Sequence, residues 1–265
     1  PYSMSKGIGF SGSGDLDNGM AIAYQYTMTD AAFSSSSLKL DMGDTGTLSF
    51  SNGAGTTGIS AYDDKMPTAG EEVWDDLDGQ ASGVATISNK GTIGYAGSFG
   101  PVGVSASYNK DDKATPNAVA GSSHSLVVSM SPADGVTAFI GTGDKSGSTA
   151  NNGTDMYTAG VTYTAGAFTL GFQTTDIDVS AVNGDTDRNH LAASFAVNEN
   201  MSISYGMSTV GFEDPAKVDQ EDAGVAVSYT MGSMTLGAFR NTSDDVAGTA
   251  SAEDSVTEVS LAFAF

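Results

Sequence analysis

Met20-Ala-Ile-Ala-Tyr-Gln-Tyr-Thr-Met28 sets Met20, Ile22, Tyr24, Tyr26 and Met28 on one side of an extended chain, and Ala21, Ala23, Gln25 and Thr27 on the other. A period of two marks a β-strand, because successive side chains point to opposite faces. Phe168, Leu170 and Phe172 alternate in the same way with Thr169, Gly171 and Gln173, and Met201, Ile203, Tyr205 and Met207 with Ser202, Ser204 and Gly206. Ala223, Val225, Val227, Tyr229 and Met231 repeat the pattern, as do Val259, Leu261, Phe263 and Phe265. A soluble sandwich would set charged residues opposite its large apolar ones. Here the second face is Gly, Ala, Ser, Thr and Gln with few charges, which suits a wet interior, while the large apolar face suits lipid.

Working outward from this stretch, period-two segments fall at 3–13, 19–30, 33–42, 46–52, 91–100, 101–110, 122–132, 135–144, 155–165, 167–177, 188–197, 200–210, 222–231, 233–242 and 254–265. These fifteen strands each approach the 9–11 residues that a tilted membrane strand needs. Tight turns at 14–18, 43–45, 100–101, 132–135, 165–166, 198–200 and 232–233 alternate with longer acidic loops at 53–90, 111–121, 145–154, 178–187, 211–221 and 243–253. Short turns on one side and long loops on the other are the layout of an outer-membrane barrel. The brief 31–32 link is the exception. Single-chain bacterial barrels have even strand counts. Counted back from a last strand that descends to the periplasm, the first segment also descends, so a further strand is expected ahead of Pro1. The expectation is an all-β, antiparallel transmembrane β-barrel of sixteen strands, fifteen of them visible, in a single domain over residues 1–265.

Composition agrees. Ten Lys and Arg against 32 Asp and Glu leave a formal charge of −22, which excludes nucleic acid as a partner because its phosphates need a positive face. Cysteine is absent and 34 glycines are present, with only 39% hydrophobic residues, a thin supply for a soluble core. No run nears the roughly 18 apolar residues of a spanning helix. A closed barrel can still occupy a membrane, since closure pairs every backbone N–H and C=O.

Three motifs resemble those of trimeric Gram-negative porins. Gly9-Phe-Ser-Gly-Ser-Gly-Asp-Leu-Asp-Asn-Gly-Met20 is similar to a porin hairpin, and Asn18-Gly19 is a strong turn signal because both residues tolerate positive φ. Leu38-Lys-Leu-Asp-Met-Gly-Asp-Thr-Gly-Thr-Leu-Ser-Phe50 resembles the hairpin that leads into the porins' long third loop. Leu261-Ala-Phe-Ala-Phe265 resembles the aromatic C-terminal signature of outer-membrane proteins. Among porins, the short, acidic, Arg-poor character is closest to alphaproteobacterial ones. The resemblance implies a homotrimer in the bacterial outer membrane, in contact with lipid and lipopolysaccharide, with residues 53–90 folded into the lumen as a constriction. One departure stands out: Ser51 and Asn52 occupy the place where such porins carry an Arg of a basic wall.

The 53–90 segment holds Asp63, Asp64, Glu71, Glu72, Asp75, Asp76 and Asp78 together with the chain's one Trp, Trp74. Carboxylates gathered in a constriction favour cations; the bland reading is a solubilising external loop. Opposing basic groups are few. Parity turns Lys39, Lys90, Arg188 and His190 toward the lumen, where they either line the solute path or are plain rim charges. Arg240 has the parity of its apolar neighbours, which suggests an outer rim or a subunit contact. Asp75, Asp76 and Asp78 are candidates for a loosely held Ca²⁺, although they lack the ligand spacing of an EF-hand loop; no other cofactor is expected. With two His and no phosphate loop or catalytic triad pattern, no enzyme is expected. The chain is expected to be a water-filled channel, weakly cation-selective, for passive diffusion of small hydrophilic solutes and ions. The alternative is an adhesin-type or structural barrel without significant transport.

Overall fold

Alternation along the chain becomes strand after strand, each hydrogen-bonded to its sequence neighbours. The structure is a computed structural model that describes residues 4, 7–30, 32–53, 57–63, 65–81, 83–84, 91–110, 122–145 and 153–264. Among the described residues, fifteen antiparallel strands form one sheet in the order of the chain. Contacts gather into two compact units.

The first unit comprises residues 1–62, 85–130 and 141–155. It contains β1 (Gly7–Asp15), β2 (Ala21–Thr29), β3 (Ala32–Asp41), β4 (Thr47–Asn52), β5 (Thr92–Phe99) and β6 (Val102–Lys110), with parts of β7 (Ser122–Ala133), β8 (Val136–Lys145) and β9 (Thr154–Ala165). Its register separates two kinds of surface. Tyr24, Leu38, Phe50, Ile93 and Tyr108 stand side by side on successive strands and are all exposed, as membrane-facing side chains are in the absence of lipid. One residue along, Ala23, Lys39, Ser49, Gly94, Ser107 and Ser125 form the opposite row. The brief link after β2 turns at Asp30, which adopts a positive φ of 51°.

The second unit comprises residues 63–84, 131–140 and 156–265, and includes β10 (Phe168–Val179), β11 (Thr186–Asn198), β12 (Met201–Phe212), β13 (Gln220–Met231), β14 (Met234–Asp244) and β15 (Glu253–Phe263). Phe172, Leu191 and Met207 form an exposed apolar row, and the adjacent opposite row is Gly171, Ala192, Gly206, Gly224 and Asn241. The contrast is sharpest on β11, where Leu191 is 56% exposed and His190 4%. Gly135 closes the β7–β8 turn with φ of 74°, and any Cβ there would collide with the Thr164 carbonyl oxygen, so the position requires glycine.

The fourteen strands after β1 begin and end within two residues of the sequence expectation, β1 ends two residues beyond it, and most of the expected start of β1, at residues 3, 5 and 6, lies outside the described residues. Strands β11 to β14 run two residues further at their loop ends than alternation suggests. Thr186, Asp187, Gln220, Glu221, Ser243 and Asp244 continue the hydrogen-bonded ladder beyond the apolar band, where polar side chains no longer meet lipid.

Candidate pore constriction

The segment that follows β4 is docked on the wall of small residues, and its docking can be read residue by residue. In the first unit a single turn, Gly58–Tyr62, presses on β6 and β7. The Gly58 N–H donates to Ser105 Oγ at 2.8 Å, the Ile59 N–H donates to Ser125 Oγ at 2.9 Å, and Ile59 is fully buried. Small hydroxyls on this face let the loop backbone come close while still satisfying its N–H groups.

In the second unit the described residues of 63–84 lie against β10 to β15. Met66, Val73 and Val84 are buried. A Cβ at Gly206 would stand 2.6 Å from Val73 Cγ1, and one at Gly171 would strike Pro67 Cδ, so the two glycines form the seat of the loop. Around that seat, wall side chains grip the loop main chain. The Ala69 N–H donates to Ser204 Oγ at 2.8 Å. Gln220 both accepts from the Gln80 N–H at 3.0 Å and donates to the Gln80 carbonyl at 2.9 Å. Asn241 Nδ2 donates to the Glu72 and Asp75 carbonyls at 2.9 and 3.2 Å. The Asp78 N–H donates to Asp254 Oδ2 at 2.7 Å. Buried Asp222 holds Gln220 in place, accepting from its Nε2 at 3.0 Å and from Ser208 Oγ at 2.8 Å.

Arg188 and His190 lie on the face that parity assigned them, yet both are buried beneath the loop. Arg188 Nη1 donates to the Gly83 carbonyl at 2.9 Å, and its charge is felt by half-buried Asp63. The His190 ring meets the Trp74 ring edge-on, with centroids 4.7 Å apart. Lys39 is exposed on the small-residue face of the first unit, opposite Ala23 and Ser49. Asp64 and Lys90 lie outside the described residues.

Glu71, Asp76 and Asp78 are exposed, while Glu72 and Asp75 are half-buried. Among the described residues, the carboxylates that converge are those of Glu71, Glu72 and Asp75, whose nearest oxygens lie within 4.8 Å of one another. Asp76 and Asp78, which the sequence grouped with Asp75, fall outside that cluster. The reason is local: the Asp75 N–H donates to the Glu72 carbonyl at 3.1 Å in a tight turn, which brings residues 71 and 72 over 75, and Asp76 then reverses with φ of 59°. Sequence reading did not find Ser204, Gln220, Asp222 and Asn241. Their signal was present, since all four have the parity of the small-residue face and three are far larger than their neighbours on it.

An antiparallel meander with a lipid-type apolar face, an opposite face of small polar residues, and a long acidic loop seated on that second face defines a channel of the outer-membrane β-barrel class. The chain belongs to the Gram-negative porin family, whose profile matches residues 2–264. No curated protein matches it by sequence. Solved structures that it resembles include an anion-selective porin from Comamonas acidovorans, 17% identical over 98% of this chain and 90% of that one, with a TM-score of 0.73. A mutant of the Rh. blastica porin is 16% identical over 98% and 89%, with a TM-score of 0.65. The trimer form of the outer-membrane protein OmpT of Vibrio cholerae is 12% identical over 97% and 88%, also at 0.65. The protein is accordingly a porin of the bacterial outer membrane, a channel and not an enzyme.

Proposed function

We propose that this porin is a homotrimer whose channel passes small hydrophilic solutes by passive diffusion and weakly favours cations. The observation that carries the sign of the selectivity is how the seated loop treats its charges. Glu71, Asp76 and Asp78 are exposed, whereas the cation of the wall beneath them, Arg188, is buried against the Gly83 carbonyl and Asp63. Within the second unit, a permeating ion would therefore meet exposed carboxylates while the arginine beneath them is withdrawn from it. Ser51 and Asn52, buried and half-buried where related porins carry an Arg, point the same way. The Comamonas porin is named as anion-selective. At 17% identity its likeness speaks for the fold, and the sign here rests on this chain's own side chains.

The test is the reversal potential of purified protein in a planar bilayer across a potassium chloride gradient. A cation preference of a few-fold that fades as salt rises is expected, because bulk salt screens such charges over about 8 Å near physiological ionic strength. Anion preference or insensitivity to salt would overturn the proposal. The trimer, supported by the trimeric Vibrio relative, is tested by native mass spectrometry in mild detergent, where a stable monomer would overturn it.

A further inference from the structure

Arg240 stands where a membrane strand has no use for a cation. On β14 it follows Met234, Leu236 and Ala238 along the apolar face, while Thr235, Gly237, Phe239 and Asn241 take the face that carries the loop. Residues 156–265 contain only three cationic side chains, Arg188, Lys217 and Arg240. Arg188 is buried under the loop and Lys217 belongs to the β12–β13 connection, which leaves Arg240 alone on the apolar side. Its register neighbours are Val225 and Thr257, and its recorded polar contact is a 3.3 Å bond from Nη1 to Thr257 Oγ1. The carboxylates of the same face, Glu221, Asp244 and Glu253, begin four residues further along, about 13 Å at the rise of a β-strand.

Beside Arg240 the apolar face is hollow. Phe168, Phe195, Ile203 and Tyr205 wall a groove of about 620 Å³ whose floor is kept low by Ala193 and Ala238 and which Arg240 closes. Phe168 and Phe195 brace one wall, with ring centroids 4.4 Å apart. The two-residue turn before β14 marks the periplasmic side and the longer 245–252 connection the outer side. Arg240 then lies about 10 Å below the outer end of β14, taking roughly 2.5 Å of membrane depth per tilted residue.

We propose that this groove holds an acyl chain of an anionic, phosphate-bearing lipid of the outer leaflet, whose phosphate oxygens accept hydrogen bonds from the Arg240 guanidinium. A cation without a carboxylate partner in a low-dielectric setting requires an anion. The planar fork of arginine matches phosphate in bidentate fashion. A lipid supplies that phosphate joined to a chain that fits apolar walls.

The experiment is native mass spectrometry of the full chain in mild detergent, titrated with phosphatidylglycerol and, separately, with phosphatidylcholine. Wild type retains phosphatidylglycerol about tenfold more strongly, the scale of a hydrogen bond to a charged group. R240Q abolishes that preference, R240K keeps only part of it, and A238F, which fills the groove, lowers retention of both lipids. Channel conductance stays unchanged in all three, since Ala238 and Arg240 stand on the face of the sheet opposite to the loop. Equal retention of the two lipids by wild type, or undiminished preference in R240Q, overturns the proposal. So does an A238F variant that falls to monomers with lipid retention intact, because the groove would then be a contact between chains.

Discussion

Gly206→Val would place a branched side chain directly under the loop of residues 63–84. The position faces the loop and not the lipid, and a first Cβ there already stands 2.6 Å from Val73 Cγ1 and 3.3 Å from His190 Nε2. Because Gly206 is fixed in the β11–β12–β13 ladder, it is the loop that yields, by about 1 Å. Overpacking of this kind costs about 1–3 kcal/mol. Against it stand the burial of Val73, worth about 1.5–3 kcal/mol, and seven recorded hydrogen bonds that tie residues 69–83 to the wall. At about 0.5–1.5 kcal/mol net for each bond, the substitution loosens the loop without releasing it. Single-channel recordings should therefore show more flicker, with brief steps to higher conductance, while the folded fraction on gels is unchanged. Limited proteolysis between residues 63 and 84 should quicken by about tenfold, the lower half of that energy range. A folded variant with wild-type conductance, noise and protease resistance would refute the seating of Val73 on Gly206.

Other expectations follow from the charges and faces. Neutralising two exposed carboxylates, D76N with D78N, should lower cation preference about threefold at 0.15 M salt. The figure comes from about 0.7 kcal/mol for each charge at 6 Å in water, roughly halved by screening; the outer-loop pair D244N and D245N should move the reversal potential less. R188M leaves the Gly83 carbonyl without its donor, at a cost of about 1–3 kcal/mol. Loop proteolysis should therefore speed up and cation preference rise as a buried positive charge is lost. Because large apolar residues such as Phe172, Leu191 and Val259 are exposed along the strands, refolding should succeed in detergent or lipid, and a cooperative unfolding transition in plain buffer would contradict the membrane assignment.

Parity was enough to place nearly every strand and to decide which face Lys39, Arg188 and His190 occupy. It was blind to burial on that face. Arg188 and His190 are covered by residues 63–84, more than a hundred positions away in sequence, and no local period reports such a contact. Gln220 escaped notice because the sequence reading assigned it to the 211–221 loop; the ladder in fact continues through Gln220 and Glu221, whose polar side chains hid the strand from a hydrophobic pattern. The acidic trio was misgrouped for a different reason. Adjacent carboxylates at 75, 76 and 78 look like neighbours in a linear reading, but the Glu72–Asp75 turn converts separation along the chain into proximity across one turn.

The hydrogen bonds by which the wall holds residues 69–83 run from side chain to main chain. Ser204, Gln220, Asn241, Arg188 and Asp254 each hold a backbone N–H or carbonyl of the loop. Bonds that read only backbone are indifferent to what the exposed loop side chains carry. Glu71, Asp76 and Asp78 can be exchanged for neutral or basic residues while every one of those bonds remains available. If the exposed carboxylates set the ion preference as proposed, permeation preference and loop attachment are heritable as separate traits. On that reading, a lineage carrying this wall could reverse the charge of its pore through a few loop substitutions without passing through an intermediate that has lost the loop.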